Sequence, residues 1–247
     1  MWDQSVKNIL VFGHRGAKAL YPENTMVSFR GAIDLGVDGL ETDVWMTRDG
    51  HLVLIHDATV DRTTDGTGAV VGYTLDELQR LDAGGNFSEE YAGARIPTLA
   101  NFLALVKDRN LLLNIEIKDC RACVVDKVIA LLREYGLTQR SVITCFDANM
   151  TTYAHQTYAV KTQGFPASYL RNFAEDTYSH YYSAGINMRD LSRELCDFFR
   201  SRNIDPWCYC PDDEAGVYKM IESGATLATC NNPIPALRIL KEKKLRR

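Results

Sequence analysis

The sequence lacks any apolar run approaching the roughly eighteen residues that a membrane helix needs, and residues 1–7 hold no basic region followed by a long apolar segment. The expectation is therefore a soluble, cytoplasmic protein with no integral membrane segment. A basic surplus is missing too. Net charge is −4 at pH 7, and the basic cluster at residues 241–247, which reads as a solvated tail, leaves the remaining body more acidic still. Neutralising phosphates needs a basic face, so nucleic acid is excluded as a partner. Nor is there a disulfide framework: Cys120, Cys123, Cys145, Cys196, Cys208, Cys210 and Cys230 are odd in number and scattered through predicted strands and helices, as free thiols in a reducing compartment would be. Cys120-x-x-Cys123 and Cys208-x-Cys210 have no second pair at zinc-finger spacing. No linker, repeat or low-complexity segment divides the 247 residues, so residues 1–247 read as one domain; no feature fixes an oligomeric state.

What the chain has is an alternation of apolar strands and amphipathic helices. Ile9-Leu10-Val11-Phe12-Gly13 is an apolar run that stops on His14-Arg15-Gly16, with glycines that let the backbone turn sharply. Pro22-Glu23-Asn24-Thr25 opens a helix, with Asn24 as its expected cap. Gly39-Leu40-Glu41-Thr42-Asp43-Val44 reads as a strand that projects Glu41 and Asp43 from one face. His51-Leu52-Val53-Leu54-Ile55 repeats the opening device and ends on His56. Residues 58–98 then break the rhythm with a Gly- and Thr-rich excursion containing a capping box at Thr74. Leu111-Leu112-Leu113-Asn114-Ile115-Glu116-Ile117-Lys118 is a further buried strand, followed by a helix burying Val124, Val125, Val128, Ile129 and Leu132, and by a strand at Ser141-Val142-Ile143-Thr144. Weaker strand candidates near residues 158–165, 185–188, 204–210 and 226–230 bring the total to nine, of which one of the later ones is expected to lie outside the barrel. Length and alternation favour an α/β fold, a (βα)8 TIM-type barrel with a small insertion after the third strand.

In such a barrel catalytic groups gather at the C-terminal ends of strands, where His14, Arg15, Glu41, Asp43, His56, Glu116 and Lys118 all fall. Three carboxylates converging there repel one another unless a cation is bound, and an all-oxygen set favours one hard divalent cation, Mg²⁺ or Ca²⁺. Two histidines beside it suit general acid and base roles near neutral pH. Arg15 and Lys118 add positive charge, and the ensemble suits an anionic substrate, with phosphate esters the commonest class.

The motifs His14-Arg15-Gly16, Pro22-Glu23-Asn24-Thr25, Glu41-Thr42-Asp43-Val44, Thr47-Arg48-Asp49-Gly50, His56-Asp57, Arg62-Thr63-Thr64, Ile96-Pro97-Thr98-Leu99 and Asn114-Ile115-Glu116-Ile117-Lys118, in that order, resemble the signatures of the glycerophosphodiester phosphodiesterase family. The resemblance covers the first half of the chain closely. It implies metal ligation by Glu41, Asp43 and Glu116, acid/base catalysis by His14 and His56, phosphate contacts from Arg15 and Lys118, and hydrolysis of a small-molecule glycerophosphodiester to glycerol 3-phosphate and an alcohol. A related lysophospholipid-cleaving barrel and a barrel that binds phosphodiesters without turnover are the alternatives. The second half departs from the family pattern: Trp207-Cys208-Tyr209-Cys210 and Thr229-Cys230-Asn231-Asn232-Pro233 stand where Trp-Thr-Val-Asn-like and Thr-Asp-x-Pro-like segments are usual, and the usual aspartate is missing. Trp207 and Phe146 either wall the substrate pocket or pack as core aromatics.

Overall fold

The computed structural model describes residues 8–246; residues 1–7, read above for a targeting signal, and Arg247 of the basic tail lie outside them. The strands are β1 (Leu10–Gly13), β2 (Gly39–Met46), β3 (Leu52–Leu54), β4 (Leu112–Ile117), β5 (Ser141–Thr144), β6 (Lys161–Gly164), β7 (Ser183–Asn187), β8 (Asp205–Tyr209) and β9 (Leu227–Cys230). Every pairing except that of β3 with β2 is parallel, and β1 meets both β2 and β9, which closes the eight parallel strands into a barrel. The helices are α1 (Met26–Asp34), α2 (Leu75–Leu78), α3 (Leu99–Val106), α4 (Ala122–Glu134), α5 (Ala148–Tyr158), α6 (Arg193–Arg200), α7 (Glu214–Ser223) and α8 (Ile234–Glu242).

The strand missing from the barrel is β3, not one of the weak later candidates. It runs antiparallel on the far end of β2, with Val44 opposite Leu54 and Met46 opposite Leu52. Its sequence looks like a buried barrel strand because both of its faces are covered. Leu52 and Leu54 join the main core, while Val53 and Ile55 join a separate small core with Val60, Val70, Leu78, Ala83 and Ile96. The excursion thus begins with β3 itself and carries its own apolar centre. The capping box at Thr74 is present, with Glu77 returning the bond, and a second one at Thr98 starts α3.

Alternation along the strands builds the barrel interior in layers. Phe12, Leu112, Val142, Trp207 and Leu227 form an apolar floor. Above it Asn114 bonds Gln163 at 3.3 Å and accepts from Thr144, and Ser183 donates to Gln163 at 3.5 Å. Glu41, Asp43 and Glu116 complete the top layer. The odd-numbered neighbours that point outward, among them Leu113, Ile115 and Ile117, meet the buried faces of the helices, including the expected Val124, Val125, Val128, Ile129 and Leu132 of α4.

Two helices escape the hydrophobic pattern. The buried face of α5 consists of Ala148, Thr151 and Ala154, too small and polar to show a period. The basic C-terminal segment is solvated at residues 241–244, as expected, but it is anchored rather than a free tail. Lys241 lies within α8, Ile9 N donates to Leu245 O at 2.8 Å, and Arg246 bonds both carboxylate oxygens of Asp38 at 2.9 and 3.0 Å. Among the described residues no helix is long and apolar enough to cross a membrane, and all seven cysteines are free.

Phe12 is fully buried in the floor, its ring 6.1 Å from that of Trp207. Phe12→Ala is expected to lower unfolding free energy by roughly 3–5 kcal/mol, measured by urea denaturation; a loss below about 1 kcal/mol, the scale of an exposed-site change, would mean that the floor closes over the gap.

Candidate active site

The turn after β1 places two side chains at once. Arg15 adopts the left-handed φ of 53° and Gly16 follows at 86°. A non-glycine residue held there costs about 1–3 kcal/mol and persists only where its surroundings fix it. Here the Arg15 N–H donates to Glu41 Oε2 at 2.9 Å, and its carbonyl accepts from Asn24 N at 3.0 Å and from Ser28 Oγ at 2.9 Å. Gly16 has no alternative: a Cβ there would lie 2.2 Å from Ser28 Oγ. Asn24 is not the helix cap; Thr25 is, accepting from Ser28 N. Asn24, at φ 55°, instead donates to Asp43 Oδ2 at 2.9 Å and accepts from Thr42 Oγ1 at 2.8 Å.

β2 and β4 pair Asp43 with Glu116 and Glu41 with Asn114, so the three carboxylates rise side by side into the barrel mouth. One oxygen from each lies within 4.8 Å of the others. Glu41 Oε1 is buried with no hydrogen-bond partner, and Asp43 Oδ1 also lacks one, although Lys118 Nζ sits 3.1 Å from it. Burial, then the charges of Asp43 and Glu116, pushes the Glu41 carboxyl well above the usual carboxylate range. Burial also raises Glu116, with Asp43 adding to it against Lys118. On Asp43 burial acts the same way but is overruled by Lys118, Arg15 and His56, which hold it well below the usual range. Arg15 and Lys118 cannot balance three carboxylates. An orphaned, buried carboxylate oxygen inside an all-oxygen cluster is what a hard cation would satisfy, so these residues form a buried acidic group able to bind a metal ion.

Around this cluster runs a chain of ion pairs. Arg15 Nε lies 3.2 Å from Asp43 Oδ2, and its Nη1 donates to Glu23 Oε1 at 2.9 Å. Arg62, from the excursion, grips the same Glu23 at 2.8 and 2.9 Å and reaches Asp57 Oδ2 at 2.6 Å. Asp57 Oδ1 then contacts His56 Nδ1 at 2.6 Å. Glu23 feels burial first, but Arg62 and Arg15 together draw it down to about 2; Arg62 and His56 bring Asp57 to about 2 as well. Both stay ionised at neutral pH.

His56 reaches the mouth by a detour: β2 overshoots the barrel, β3 runs back, and the Ile55 N–H donates to Asp43 O at 3.2 Å. Trp45 Nε1 holds the His56 carbonyl at 3.2 Å. His14 lies across the cluster with Nε2 3.7 Å from Glu41 Oε2 and Nδ1 2.6 Å from Asn231 Oδ1. Burial, with Arg15 and Lys18, lowers His14 to about 3; burial also lowers His56, with Asp43 opposing and Lys118 and Arg15 assisting.

The structure therefore gathers His14, Arg15, Glu41, Asp43, His56, Glu116 and Lys118 at one place. Trp207 is not among them. It is 2% exposed in the barrel floor, beside Phe12, and its Nε1 donates to Asp205 Oδ2 at 2.9 Å, so it packs as a core aromatic. Phe146 lies at the mouth, stacked on Phe165 with centroids 3.7 Å apart and Lys118 Nζ 5.7 Å from its ring. Asp57, Glu23 and Arg62 stand inside family motifs without a role, and Asn24 reads only as a helix cap; their short spacing from His56 and Arg15 is the available signal. Asn231 is marked only by standing in the segment that replaces the usual Thr-Asp-x-Pro-like one; its link to His14, far away in sequence, leaves no signal.

Residues 14–234 match the glycerophosphoryl diester phosphodiesterase family. A glycerophosphodiester phosphodiesterase of Bacillus altitudinis is 38% identical over 247 aligned residues, which cover 95% of this chain and 99% of that protein. One from Caldanaerobacter subterraneus subsp. tengcongensis is 48% identical over 141 residues, 56% of this chain and 58% of its own length. An Oleispira antarctica phosphodiesterase solved with the product sn-glycerol-3-phosphate shares the fold, with a TM-score of 0.81 at 24% identity over 93% of this chain and 96% of that one. With the match running from His14 past the last barrel strand, this enzyme belongs to the glycerophosphoryl diester phosphodiesterase family.

Proposed function

We propose that the protein is a cytoplasmic, single-domain enzyme that hydrolyses glycerophosphodiesters to glycerol 3-phosphate and an alcohol, using one divalent cation, Mg²⁺ or Ca²⁺, and the pair His14 and His56. The observation that carries this reading is the unpartnered, buried oxygen of Glu41 within a trio of carboxylates that is flanked by two imidazoles. Glu41, Asp43 and Glu116 would hold the cation, which when bound acts as a Lewis acid that offsets charge on the phosphoryl oxygens.

The chain's own groups do the rest. Arg15 and Lys118, both kept protonated by the carboxylates around them, offer positive charge to the substrate phosphate. Each histidine has its Nδ1 occupied, His14 by Asn231 and His56 by Asp57, which leaves Nε2 of each ring to exchange protons. One imidazole takes the proton of the attacking hydroxyl or water as its oxygen bonds to phosphorus; the other delivers a proton to the alkoxide as the second phosphorus–oxygen bond breaks. Phe146, stacked on Phe165, forms one wall for the substrate.

His14→Ala and His56→Ala should each lower kcat by roughly 10²–10⁴-fold while circular dichroism stays that of the native protein; near wild-type kcat in either variant would sink the two-histidine scheme. Treatment with EDTA should abolish release of glycerol 3-phosphate from glycerophosphocholine, and readdition of Mg²⁺ or Ca²⁺ should restore it. Activity indifferent to chelation removes the cation from the mechanism. Phosphorus NMR of the products separates simple hydrolysis from the lysophospholipid-type alternative, which would leave a cyclic phosphate.

A further inference from the structure

His14 is held by a device that the catalytic reading did not require. β9 lies beside β1, the His14 N–H donates to Cys230 O at 2.9 Å, and the next residue, Asn231, turns its side chain onto the imidazole. Behind Asn231 stands Asp212, from the loop between β8 and α7. Asp212 Oδ1 accepts from the backbone N–H of Asn231 at 2.7 Å and of Asn232 at 3.1 Å, while Oδ2 accepts from Asn231 Nδ2 at 2.6 Å. One carboxylate thus holds both the backbone and the side chain of Asn231.

The direction of these bonds follows from donor chemistry. An ionised carboxylate only accepts, so the Asn231 NH₂ must face Asp212 and its Oδ1 must face His14. An amide oxygen also only accepts, so His14 carries its ring proton on Nδ1, and Cys210 Sγ, 3.4 Å from the same nitrogen, is there as a second, weaker acceptor. In the neutral ring Nε2 is then bare, at 3.7 Å from Glu41 Oε2 on the side of the carboxylate cluster. His56 is held differently, by the Asp57 carboxylate directly.

We propose that Asn231 and Asp212 are positioning residues for His14: Asp212 fixes the orientation of the Asn231 amide, and the amide fixes the imidazole in its Nδ1–H tautomer so that Nε2 faces the reacting phosphodiester. The proposal rests on the catalytic reading of His14 only for its effect on turnover, because the tautomer can be read without substrate. The hydrogen bond at one ring nitrogen of a histidine sets its tautomer, and at metal-ligating histidines loss of such an outer partner typically costs about 10–100-fold in affinity or activity, the scale expected here.

The test uses ¹⁵N-histidine-labelled full-length protein and long-range ¹H–¹⁵N correlation spectra, alongside kcat and KM for glycerophosphocholine. In the wild type the His14 ring should show a protonated Nδ1 and a bare Nε2; the opposite tautomer overturns the proposal whether or not the enzyme turns over. Asp212→Asn would set two NH₂ groups against each other, turn the Asn231 amide over and present a donor to Nδ1. That variant should show the reversed tautomer and a kcat lowered by roughly 10–100-fold at unchanged KM. The double variant Asn231→Asp with Asp212→Asn reverses the bond between the two side chains but keeps an acceptor oxygen facing His14 Nδ1 and another facing the two backbone N–H groups, and should recover both the wild-type tautomer and kcat. An unchanged tautomer and kcat in Asp212→Asn, or a double variant no better than the single one, would show that the pair does not position His14. Should Asp212→Asn fail to fold, the wild-type spectrum alone still decides. A turnover-competent His14→Ala would sink the catalytic reading while leaving the tautomer result standing, so the two failures are distinguishable.

Discussion

Negative charge buried at the mouth of the barrel is the constraint to which the surrounding structure answers. Two like charges about 4 Å apart repel by roughly 4 kcal/mol at an effective dielectric of 20, and a whole domain is stable by only about 5–15 kcal/mol. Glu41, Asp43 and Glu116 could not be assembled by strand pairing alone. Asn24, Arg15 and Lys118 meet Asp43 at 2.9 to 3.2 Å, Lys118 also bonds Glu116, and the Arg15 N–H meets Glu41. One oxygen of Glu41 stays unpartnered even so. That residue of imbalance leaves the cluster able to accept a cation, unlike a finished salt-bridge network.

Arg15 shows how closely backbone and charge are tied. Its left-handed φ turns the chain so that the peptide N–H points to Glu41 while the guanidinium reaches Asp43 and Glu23. The strain therefore sits where the electrostatics can hold it, and Ser28 and Asn24 lock the carbonyl in turn.

Much of this was legible in the residues. A buried strand of period two puts Glu41 with Asp43, and Glu116 with Lys118, on shared faces, and apolar runs that end on polar residues announce the barrel mouth. The sequence misled where burial had an unusual source. β3 is apolar on both sides because two cores, not two barrel neighbours, cover it, and α5 is hidden because its buried face is small. Trp207 sits near residues that line the mouth, yet one strand's length separates floor from rim, and only the register of β8 against β7 and β9 shows which end it occupies. Contacts across the whole chain, such as Asn231 with His14 and Arg246 with Asp38, leave no local pattern at all.

The two histidines reach the cluster from structures of different origin, and this accounts for the excursion. A parallel barrel offers one strand end per position around its mouth, and β1 already supplies His14 next to β2. The second imidazole does not ride on a barrel strand: β2 overshoots and the chain returns as β3, bringing His56 level with Asp43. The returning segment then needs its own anchorage, which the small core of Val53, Ile55, Val60, Val70 and Leu78 provides. Glu23 joins the two parts, since Arg15 of the barrel and Arg62 of the excursion share its carboxylate, and Arg62 continues through Asp57 to His56. The placement of His56 is thus coupled to the same ion-pair chain that orients Arg15, so that the excursion and the barrel form one site only when both are folded.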